Sequence, residues 1–427
     1  MIIYKANIVY TKQPDKFEVL ERGCVAVENG RVVGISSDAQ HFDSEQAQVV
    51  DYGDCLLIPA MNDMHVHAAQ YRNQGMAMDL ELLQWLDRYT FPEEMKFSST
   101  AYASRVYRRF VRDLWRMGTM RCVAFASAHH ESTRKLMRLF QETGMGALVG
   151  QVAMDRNCPE ALCASVADVV RHTEALASEF GDPNGLVRPI VTPRFIPSCS
   201  PHMLRACGEL ASKHNLPVQS HLSENTDEIA FVRQLEPESL GYGDAYLRYG
   251  LLGQQPTVMA HCVWTQGEEL RLLKSHDVMV AHCPTSNLNL STAIAPVRSF
   301  LNEGVRVSLG SDISGGHDLS IFRVMVYAIQ VSKVRNKHCE GEGDAFLTLP
   351  EVFWMATKCA GSFFGQVGSF EPGYEFDALV IDDQALNYDN YSILQRLERF
   401  IYLGDDRHIA HRFCRGREIP EPRLVEP

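Results

Sequence analysis

The sequence has little positive charge for its length and no long apolar run. Its 427 residues include 41 lysines and arginines against 53 aspartates and glutamates, a formal net charge of −12. Proteins that bind nucleic acid polymers need a basic surface, so this balance disfavours such a partner. No segment approaches the ~20 apolar residues of a membrane span, and the N-terminus lacks a basic stretch followed by an apolar one. We therefore expect a soluble, cytoplasmic protein without a membrane partner.

Closely paired cysteines are also missing. The 12 cysteines lie between Cys24 and Cys414 and never form a Cys-x-x-Cys pair. We interpret them as free, mostly buried thiols in a reducing compartment. Hydrophobic residues make up 45% and charged residues 22% of the chain, which permits a buried core and argues against disorder. The length suits one large domain with a smaller one beside it.

The middle of the chain alternates apolar runs with amphipathic stretches. Near-continuous apolar runs are typical of parallel strands that are covered on both faces. One amphipathic stretch ends at Gly118, where a helix C-cap is expected. Eight strands alternating with helices predict an α/β fold, a (β/α)8 TIM-type barrel over residues 59–365. The predicted strands are Leu56–Met64, Met120–Ala126, Ala147–Met154, Val187–Phe195, Leu216–His221, Thr257–Cys262, Val278–His282 and Val305–Gly310.

The two ends of the chain do not fit a barrel. Residues 1–58 have the pattern of short strands, with Glu28-Asn29-Gly30 as a hairpin signal. Residues 366–427 return to strand patterns at Asp377-Ala-Leu-Val-Ile-Asp. Neither end alone has enough strands for a stable sheet. We expect the ends to pair into one small β-sandwich domain beside the barrel.

One predicted connection, residues 68–98, is unusually long. Its apolar residues recur at helical spacing from Leu82 to Tyr89. Long insertions at the catalytic face of a barrel are often lids or substrate walls. An extra packing helix explains the same pattern equally well, so both interpretations stay open.

Four fragments with histidine or carboxylate each follow an apolar run. They are Asp63-Met-His65-Val-His67, His221-Leu-Ser-Glu224, Ala-His261-Cys and Gly-Ser-Asp312. Residues two apart on a strand point to the same side, so His65 and His67 can face one ion. Three imidazoles, a possible fourth and a carboxylate are what a catalytic zinc needs. Because barrel chemistry lies at the carboxyl ends of the strands, these fragments predict a metal-dependent hydrolase.

The remaining side chains of these fragments suggest proton transfer. Glu224 lies three residues after His221, so the chain must turn after about Leu222 to bring both to one site. A free glutamate there could move a proton to the substrate; the alternative is a solvated loop charge. Asp312 could bind the metal weakly and take a proton from water. His261 could hold a second ion or, more simply, orient the attacking water.

The pattern of His-x-His, two later histidines and a final aspartate resembles the amidohydrolase superfamily. Further motifs, from about residue 50 to residue 407, resemble the guanine deaminases within it. These motifs are Gln70-Tyr, Tyr89-Thr-Phe-Pro-Glu, Val191-Thr-Pro-Arg194-Phe195, Ser198-Cys-Ser, Gln219-Ser-His221-Leu-Ser-Glu224-Asn, His282-Cys-Pro-Thr-Ser-Asn287 and Tyr402-Leu-Gly-Asp-Asp-Arg407. Ala60, Cys262 and Thr285 depart from the family pattern without removing a metal ligand.

The resemblance implies hydrolysis of guanine to xanthine and ammonia by a homodimeric enzyme. It implies one zinc per chain, with iron as an alternative because the two metals accept similar ligands. The implied ligands are His65, His67, His221 and Asp312. The implied catalytic residues are Glu224, Asp312 and His261, and the implied substrate contacts are Gln70, Arg194, Phe195, His221 and Glu224. Arg194 can donate to a ring carbonyl, Gln70 can contact an amide edge, and Phe195 can pack on the ring.

Other interpretations remain. Another ring deaminase of the superfamily could act on an oxidised purine, a pterin, a triazine or cytosine, although Arg194-Phe195 and Tyr89–Glu93 argue against this. A non-catalytic scaffold would be expected to lack metal ligands. A cytidine-deaminase-like site is disfavoured because no Pro-Cys-x-x-Cys follows His129-His130-Glu131. His129 and His130 are better explained by capping, and His282 is equally consistent with a supporting and a structural role.

Overall fold

The computed structural model describes residues 1–42, 47–338 and 345–425, and it has mixed α/β structure. Its strands, in chain order, are β1 (Ile2–Gln13), β2 (Lys16–Glu28), β3 (Arg31–Ser36), β4 (Gln48–Pro59), β5 (Met61–His67), β6 (Thr119–Phe125), β7 (Gly146–Gly150), β8 (Val152–Ala153), β9 (Val187–Pro189), β10 (Thr192–Pro193), β11 (Val218–Leu222), β12 (Thr257–His261), β13 (Met279–His282), β14 (Val307–Leu309), β15 (Ala378–Ile381), β16 (Ile409–Cys414) and β17 (Arg417–Glu418).

Helices separate most of the central strands. The α-helices are α1 (Leu82–Trp85), α2 (Phe91–Glu94), α3 (Thr100–Arg116), α4 (His130–Thr143), α5 (Val166–Phe180), α6 (Pro201–His214), α7 (Thr226–Leu235), α8 (Tyr242–Arg248), α9 (Gly267–Ser275), α10 (Pro284–Asn289), α11 (Val297–Asn302), α12 (Ile321–His338), α13 (Leu349–Trp354) and α14 (Ile393–Leu403). Leu86–Thr90 and Met355–Cys359 form π-helical turns. Short 3₁₀ turns cover Ala39–His41, Ala68–Asn73, Met95–Ser98, Glu160–Leu162, Ile196–Ser198, Gln384–Leu386 and Asp406–His408.

Two four-stranded parallel sheets form the centre of the molecule. One has the order β5-β6-β7-β9 and the other the order β11-β12-β13-β14. Every residue of β5, β6 and β7 is buried, as expected for parallel strands that are covered on both faces. Because all eight strands run parallel, their carboxyl ends can contribute side chains to a common site.

Backbone contacts join the two parallel sheets at both edges. On one side, Val191 and Val218 form a parallel bridge. On the other side, the Asp312 N–H donates to the His65 carbonyl at 2.8 Å, and the His67 N–H donates to the Ile313 carbonyl at 2.9 Å. The chain after β14 therefore lies directly beside the end of β5, where the first two predicted ligands are.

Strands from both ends of the chain form one seven-stranded sheet. Its order is β17-β16-β15-β4-β1-β2-β3, so the C-terminal strand β15 pairs directly with β4. Tyr4 stacks on Phe376 with ring centroids 4.8 Å apart, which joins the two ends in one apolar core. The predicted hairpin is confirmed, because Asn29 and Gly30 both have left-handed backbone between β2 and β3.

The bounds of three predicted strands are wrong. The first, Leu56–Met64, covers the end of β4 and the start of β5, which belong to different sheets. Both segments are apolar, so their pattern could not show the break at Ala60. The third and fourth predicted strands are each interrupted, as β7 and β8 and as β9 and β10. The other five agree with the structure to within two residues at each end.

The prediction of free thiols is wrong for two cysteines. Cys158 and Cys163 form a disulfide across the turn Glu160–Leu162, with their Cα atoms 6.1 Å apart. Their separation of five residues carries no recognised spacing, so only the turn geometry shows the pairing. Nine other described cysteines have free thiols, and eight of these are buried. None of the described helices is both long enough and apolar enough to cross a bilayer.

Candidate active site

The carboxyl ends of four parallel strands bring the predicted ligands together. His65 and His67 lie at the end of β5, His221 near the end of β11, His261 at the end of β12, and Asp312 after β14. His221 is partly buried and the other four are buried. Residues separated by as many as 247 positions in the sequence (65 to 312) therefore meet at one point.

The distances among these side chains are short enough for one shared ion. His65 Nε2 and His67 Nε2 lie 3.2 and 3.4 Å from Asp312 Oδ1. His67 Nε2 lies 3.2 Å from His221 Nε2. Ligand atoms of His65, His67 and Asp312 all fall within 4.8 Å of one another, as do those of His65, His221 and His261. His65 Nε2 is buried, and because its approach to Asp312 does not have hydrogen-bond geometry, it has no hydrogen-bond partner among the described residues. An imidazole and carboxylate donor set of this kind fits a metal ion.

Outer contacts fix which ring nitrogen faces the centre. The Nδ1 of His221 lies 2.6 Å from the Arg194 carbonyl. Because a carbonyl can only accept, His221 must carry its proton on Nδ1, which leaves the Nε2 lone pair facing the cluster. The Nδ1 of His261 is similarly placed, 2.9 Å from Asn287 Oδ1.

Asp63 supports the ligands and is not one of them. Its Oδ1 accepts hydrogen bonds from the N–H groups of His65 at 3.2 Å and Ser311 at 3.0 Å, and the Ser311 hydroxyl donates to Oδ2. Burial raises the pKa of Asp63 to about 6, although these hydrogen bonds act in the opposite direction. Asp63 thus connects β5 to the segment that carries Asp312.

The backbone at three of the strand ends is strained. Ser223, His261, Cys262 and Asp312 all have left-handed backbone, with φ of 48°, 70°, 49° and 48°. Such conformations cost roughly 1–3 kcal/mol each and concentrate at active sites. After β11 the turn at Ser223 brings Glu224 back towards the cluster. The predicted turn after Leu222 is therefore confirmed.

Glu224 lies beside the cluster with one free oxygen. Its Oε2 is 3.5 Å from His261 Nε2, and its buried Oε1 has no hydrogen-bond partner in the described part of the chain. Burial raises the pKa of Glu224 well above its ordinary value, and the charges of Asp312 and Glu228 raise it further. A carboxyl group with a raised pKa holds its proton near neutral pH and can donate it.

The imidazoles and Asp312 have complementary protonation. Burial lowers the pKa of His67 and of His221 well below the ordinary value, and neighbouring imidazoles add to the shift. Neutral imidazole is the form that binds a metal. Burial acts to raise the pKa of Asp312, but His65 and then the other imidazoles lower it overall. Asp312 is therefore an ionised carboxylate beside the neutral rings of His67 and His221.

Phe125 is a residue of the site that sequence reasoning missed. Its ring centroid lies 5.0, 4.5 and 4.9 Å from the rings of His65, His67 and His221. A buried ring at these distances excludes water from one side of the imidazoles and limits their rotation. Its place at the end of a predicted strand was the available signal.

A cavity that is partly open to solvent adjoins the cluster. Leu82, Trp85 and Leu86 form an apolar wall of this cavity. The long insertion at residues 68–98 thus contributes a wall, and its role as a mobile lid stays a prediction. The other lining residues are His67, Gln70, Arg194, Phe195, His221, Glu224, Glu228, His261, Leu290, Asp312 and Gly315.

Glu94 connects two predicted substrate contacts. Its Oε1 accepts from Gln70 Nε2 at 2.9 Å, and its Oε2 accepts from Arg194 Nη1 at 2.7 Å. Arg194 also lies over the Phe91 ring, with Cζ 5.3 Å from the centroid. The sequence motif pointed to Glu93, but that side chain contacts Lys96 and Tyr102 instead. Helix α2 points these adjacent carboxylates in different directions, which their order alone could not show.

Three other predicted histidines lie outside this cavity. His129 precedes α4, and His130 begins it and stacks on His172 with ring centroids 4.4 Å apart. Neither lines the cavity. His282 is buried at the end of β13 with both ring nitrogens unpartnered, and burial lowers its pKa to about 3. The two roles suggested for His282 by the sequence, supporting the site or packing in the fold, stay predictions.

Comparison with known proteins identifies the family. Residues 56–419 match the model of the amidohydrolase family, which covers most of the chain. The chain belongs to the amidohydrolase family.

Curated members of the amidohydrolase family that resemble the chain include guanine deaminases from distant organisms. The guanine deaminase of Dictyostelium discoideum is 34% identical, with 98% of each chain covered. The human guanine deaminase is also 34% identical, covering 98% of this chain and 96% of its own. Among solved structures, a guanine deaminase from C. acetobutylicum with guanine bound in its active site is 47% identical. That structure superposes with a TM-score of 0.95 and covers 98% of this chain and 99% of its own.

Proposed function

We propose that this chain hydrolyses guanine to xanthine and ammonia. The observation that carries the proposal is one cavity lined by two sets of side chains. Imidazoles and carboxylates suited to hydrolysis line the same cavity as Gln70, Arg194 and Phe195. Similarity to guanine deaminases over nearly the whole chain supports the choice of ring.

We propose His65, His67, His221 and Asp312 as ligands of one zinc ion per chain. Three imidazole nitrogens and one carboxylate match the ligands that catalytic zinc prefers, and iron accepts a similar set. The unpartnered Nε2 of buried His65 supports this assignment. When bound, the ion supplies Lewis acidity, which makes a water molecule acidic enough to attack at neutral pH.

Proton movements are assigned to Glu224, Asp312 and His261. The Nε2 of His261 lies 3.5 Å from Glu224 Oε2 and 3.7 Å from Asp312 Oδ2, so it can orient a water between the two carboxyl groups. Ionised Asp312 accepts a proton from the water. Glu224 gives its proton to the purine ring as oxygen adds to the carbon bearing the amino group. The carbon–nitrogen bond then breaks as the leaving amine takes the proton held by Asp312 and departs as ammonia. The added hydroxyl returns a proton to Glu224 and becomes the carbonyl of xanthine.

Substrate selection is assigned to Gln70, Arg194 and Phe195. Arg194 can donate to the ring carbonyl and Gln70 can contact the amide edge, while Glu94 holds both in position. Phe195 lines the cavity near His221, with ring centroids 6.4 Å apart, and can pack against the purine. Together with His221 and Glu224, these side chains form the proposed guanine pocket.

The larger assembly is also a proposal. The contacts between the two parallel sheets support a closed (β/α)8 barrel over residues 59–365. Residues 1–58 and 366–427 would form the small β-sandwich, an arrangement that the shared seven-stranded sheet supports. A homodimer in the cytoplasm remains our expectation.

The decisive experiment measures ammonia release from guanine by the purified protein, with and without a chelator. We expect release of ammonia and xanthine, loss with the chelator, recovery with zinc, and about one zinc per chain. A parallel ultraviolet panel of oxidised purines, pterins, triazines and cytosine tests the other ring deaminases. Faster turnover of any of these than of guanine would reject guanine as the substrate. Protein without metal or activity would favour the scaffold interpretation.

A further inference from the structure

A second cavity lies at the amino ends of the first parallel strands, where arginine side chains collect. The cavity is partly open to solvent. Among the residues that the structure describes, it is lined by Arg31, Arg121, Arg188 and Arg415 with a single acidic residue, Glu375. This excess of positive charge is unusual in a chain whose formal net charge is −12.

Three of these arginines form ion pairs with the nearby carboxylates of Glu375 and Asp377. Arg31, Arg121 and Arg415 contact Glu375 at 3.0, 2.6 and 2.8 Å. Arg121 also contacts the neighbouring Asp377 at 2.5 Å. Two carboxylates therefore serve three guanidinium groups, and neither is left for a fourth.

Arg188 is that fourth guanidinium. It lies in the middle of β9 and is partly buried. In the described parts of the chain, its side chain has no ion pair and no hydrogen bond. Burial lowers the pKa of Arg188, and the charges of Arg121 and Arg415 lower it further, whereas Asp182 acts weakly in the opposite direction. A partly buried cation among like charges is unfavourable unless an anion accompanies it.

We propose that this cavity binds a small anion that carries a phosphoryl group, with Arg188 as its main contact. Guanidinium groups bind phosphate oxygens through paired hydrogen bonds, and a doubly charged phosphoryl group offsets the excess positive charge. Because the cavity is partly open to solvent, inorganic phosphate, a diphosphate or the phosphoryl end of a nucleotide could each enter it. Free phosphate and the phosphoryl group of a nucleotide share this chemistry, so the experiment separates them.

The proposed site is distinct from the candidate active site. Strand β6 runs from Thr119 to Phe125. Arg121 lies near its start, and Phe125, whose ring contacts the proposed ligand His67, lies at its end. Four residues of extended strand separate these positions by roughly 13 Å. The proposal therefore does not depend on guanine hydrolysis, and a failure of either would leave the other standing.

The test is calorimetric titration of the purified full-length protein in phosphate-free buffer, with ionic strength held constant by sodium chloride. The probes are inorganic phosphate, pyrophosphate and guanosine 5′-monophosphate. We expect saturable binding of at least one probe with about one site per chain. Phosphate or pyrophosphate binding alone identifies a free anion, and tighter binding of the nucleotide identifies a nucleotide phosphoryl group.

Substitutions connect that binding to the cavity. Arg188→Ala should weaken binding at least about tenfold, and Arg188→Lys should weaken it less, because a point charge remains without the paired donors. The matched control is Arg138→Ala, which removes an exposed arginine that pairs with Glu179 and should leave binding unchanged. Guanine turnover should be unaltered in all three variants.

Melting temperatures distinguish loss of anion binding from general destabilisation of a variant. In phosphate-free buffer, Arg188→Ala should melt no lower than the parent protein, because it removes a repelled charge. The parent should melt higher with the binding anion, and Arg188→Ala should not. Absence of saturable binding by all three probes, or equal binding by parent and Arg188→Ala, would overturn the proposal.

Discussion

Buried polar groups are paired near the start of β6 and are partly unpaired near its end. At its start, Arg121 is fully buried and held by Glu375 and Asp377. At its end, Phe125 packs on imidazoles whose neighbourhood includes unpartnered atoms, His65 Nε2 and Glu224 Oε1. Because an unpaired buried polar atom is costly, unpaired atoms at one end mark where a ligand is expected. At the start of β6, the ion pairs of Arg121 connect the parallel sheet to the segment that leads into β15, so these pairs serve assembly. Arg188, which lines the same cavity as Arg121, is the arginine left without a carboxylate partner among the described residues.

The largest effect should come from Glu224→Gln at the unpaired end. Glutamine keeps the shape of the side chain but cannot donate the proton that the Glu224 carboxyl group holds. Turnover of guanine should therefore fall by about 10²–10⁴-fold. Metal analysis should show content like the parent's, because Glu224 is not a proposed ligand. Ammonia release measures turnover, and near-normal activity would show that another group moves the proton.

A large loss of stability is expected at the paired end. Asp377→Ala leaves buried Arg121 without its closest partner, and breaking a buried pair costs about 3–5 kcal/mol. Urea unfolding should show this loss. The kcat of the folded protein should stay near the parent's value, because Asp377 does not line the proposed guanine pocket. If Asp377→Ala lowered kcat without lowering stability, Asp377 would have a role in catalysis and not in assembly.

A moderate effect is expected from Glu94→Gln at the cavity wall. The amide keeps the size of Glu94 but loses the charge that holds Arg194 and Gln70, so KM for guanine should rise about tenfold or more. The matched control is the adjacent Glu93→Gln, whose side chain contacts Lys96 and Tyr102 away from the cavity. Equal changes in KM for both variants would show a general disturbance of α2.

The smallest effect concerns pH and Glu375. Burial acts to raise the pKa of Glu375, but hydrogen bonds and charges from Arg415 and Arg121 lower it overall. A depressed pKa contributes stability above the unfolded value of about 4.3, and this is lost as the pH falls through the folded pKa. The parent should therefore exceed Glu375→Gln in unfolding free energy by about 1 kcal/mol at pH 7. Urea unfolding should show that difference shrinking below about pH 4, and a constant difference would contradict ionisation as its cause.

Much of the site could be predicted because its chemistry lies at strand ends. Short apolar runs gave the positions of β11, β12 and β13, and the histidines at their ends could be read in order. Because His65 and His67 are two residues apart on a predicted strand, they could be assigned to the same side of it. The break at Ala60 was hidden because β4 and β5 are both apolar where they meet.

The contacts that depend on three-dimensional packing could not be predicted. The choice of Glu94 over Glu93 depends on the direction of α2, and the contact of Phe125 with three imidazoles depends on neighbouring strands. The disulfide between Cys158 and Cys163 depends on a local turn. The arginine cavity joins residues as far apart as Arg31 and Arg415, which no local pattern connects.

The pairing of β4 with β15 has a consequence for how the protein is made. During synthesis, β4 leaves the ribosome long before β15, with more than 300 residues between Pro59 and Ala378. Until the last part of the chain arrives, one edge of β4 is open to other strands, which favours aggregation. Nascent chains stalled before residue 378 should therefore need chaperones, and premature stop codons late in the reading frame should yield insoluble protein.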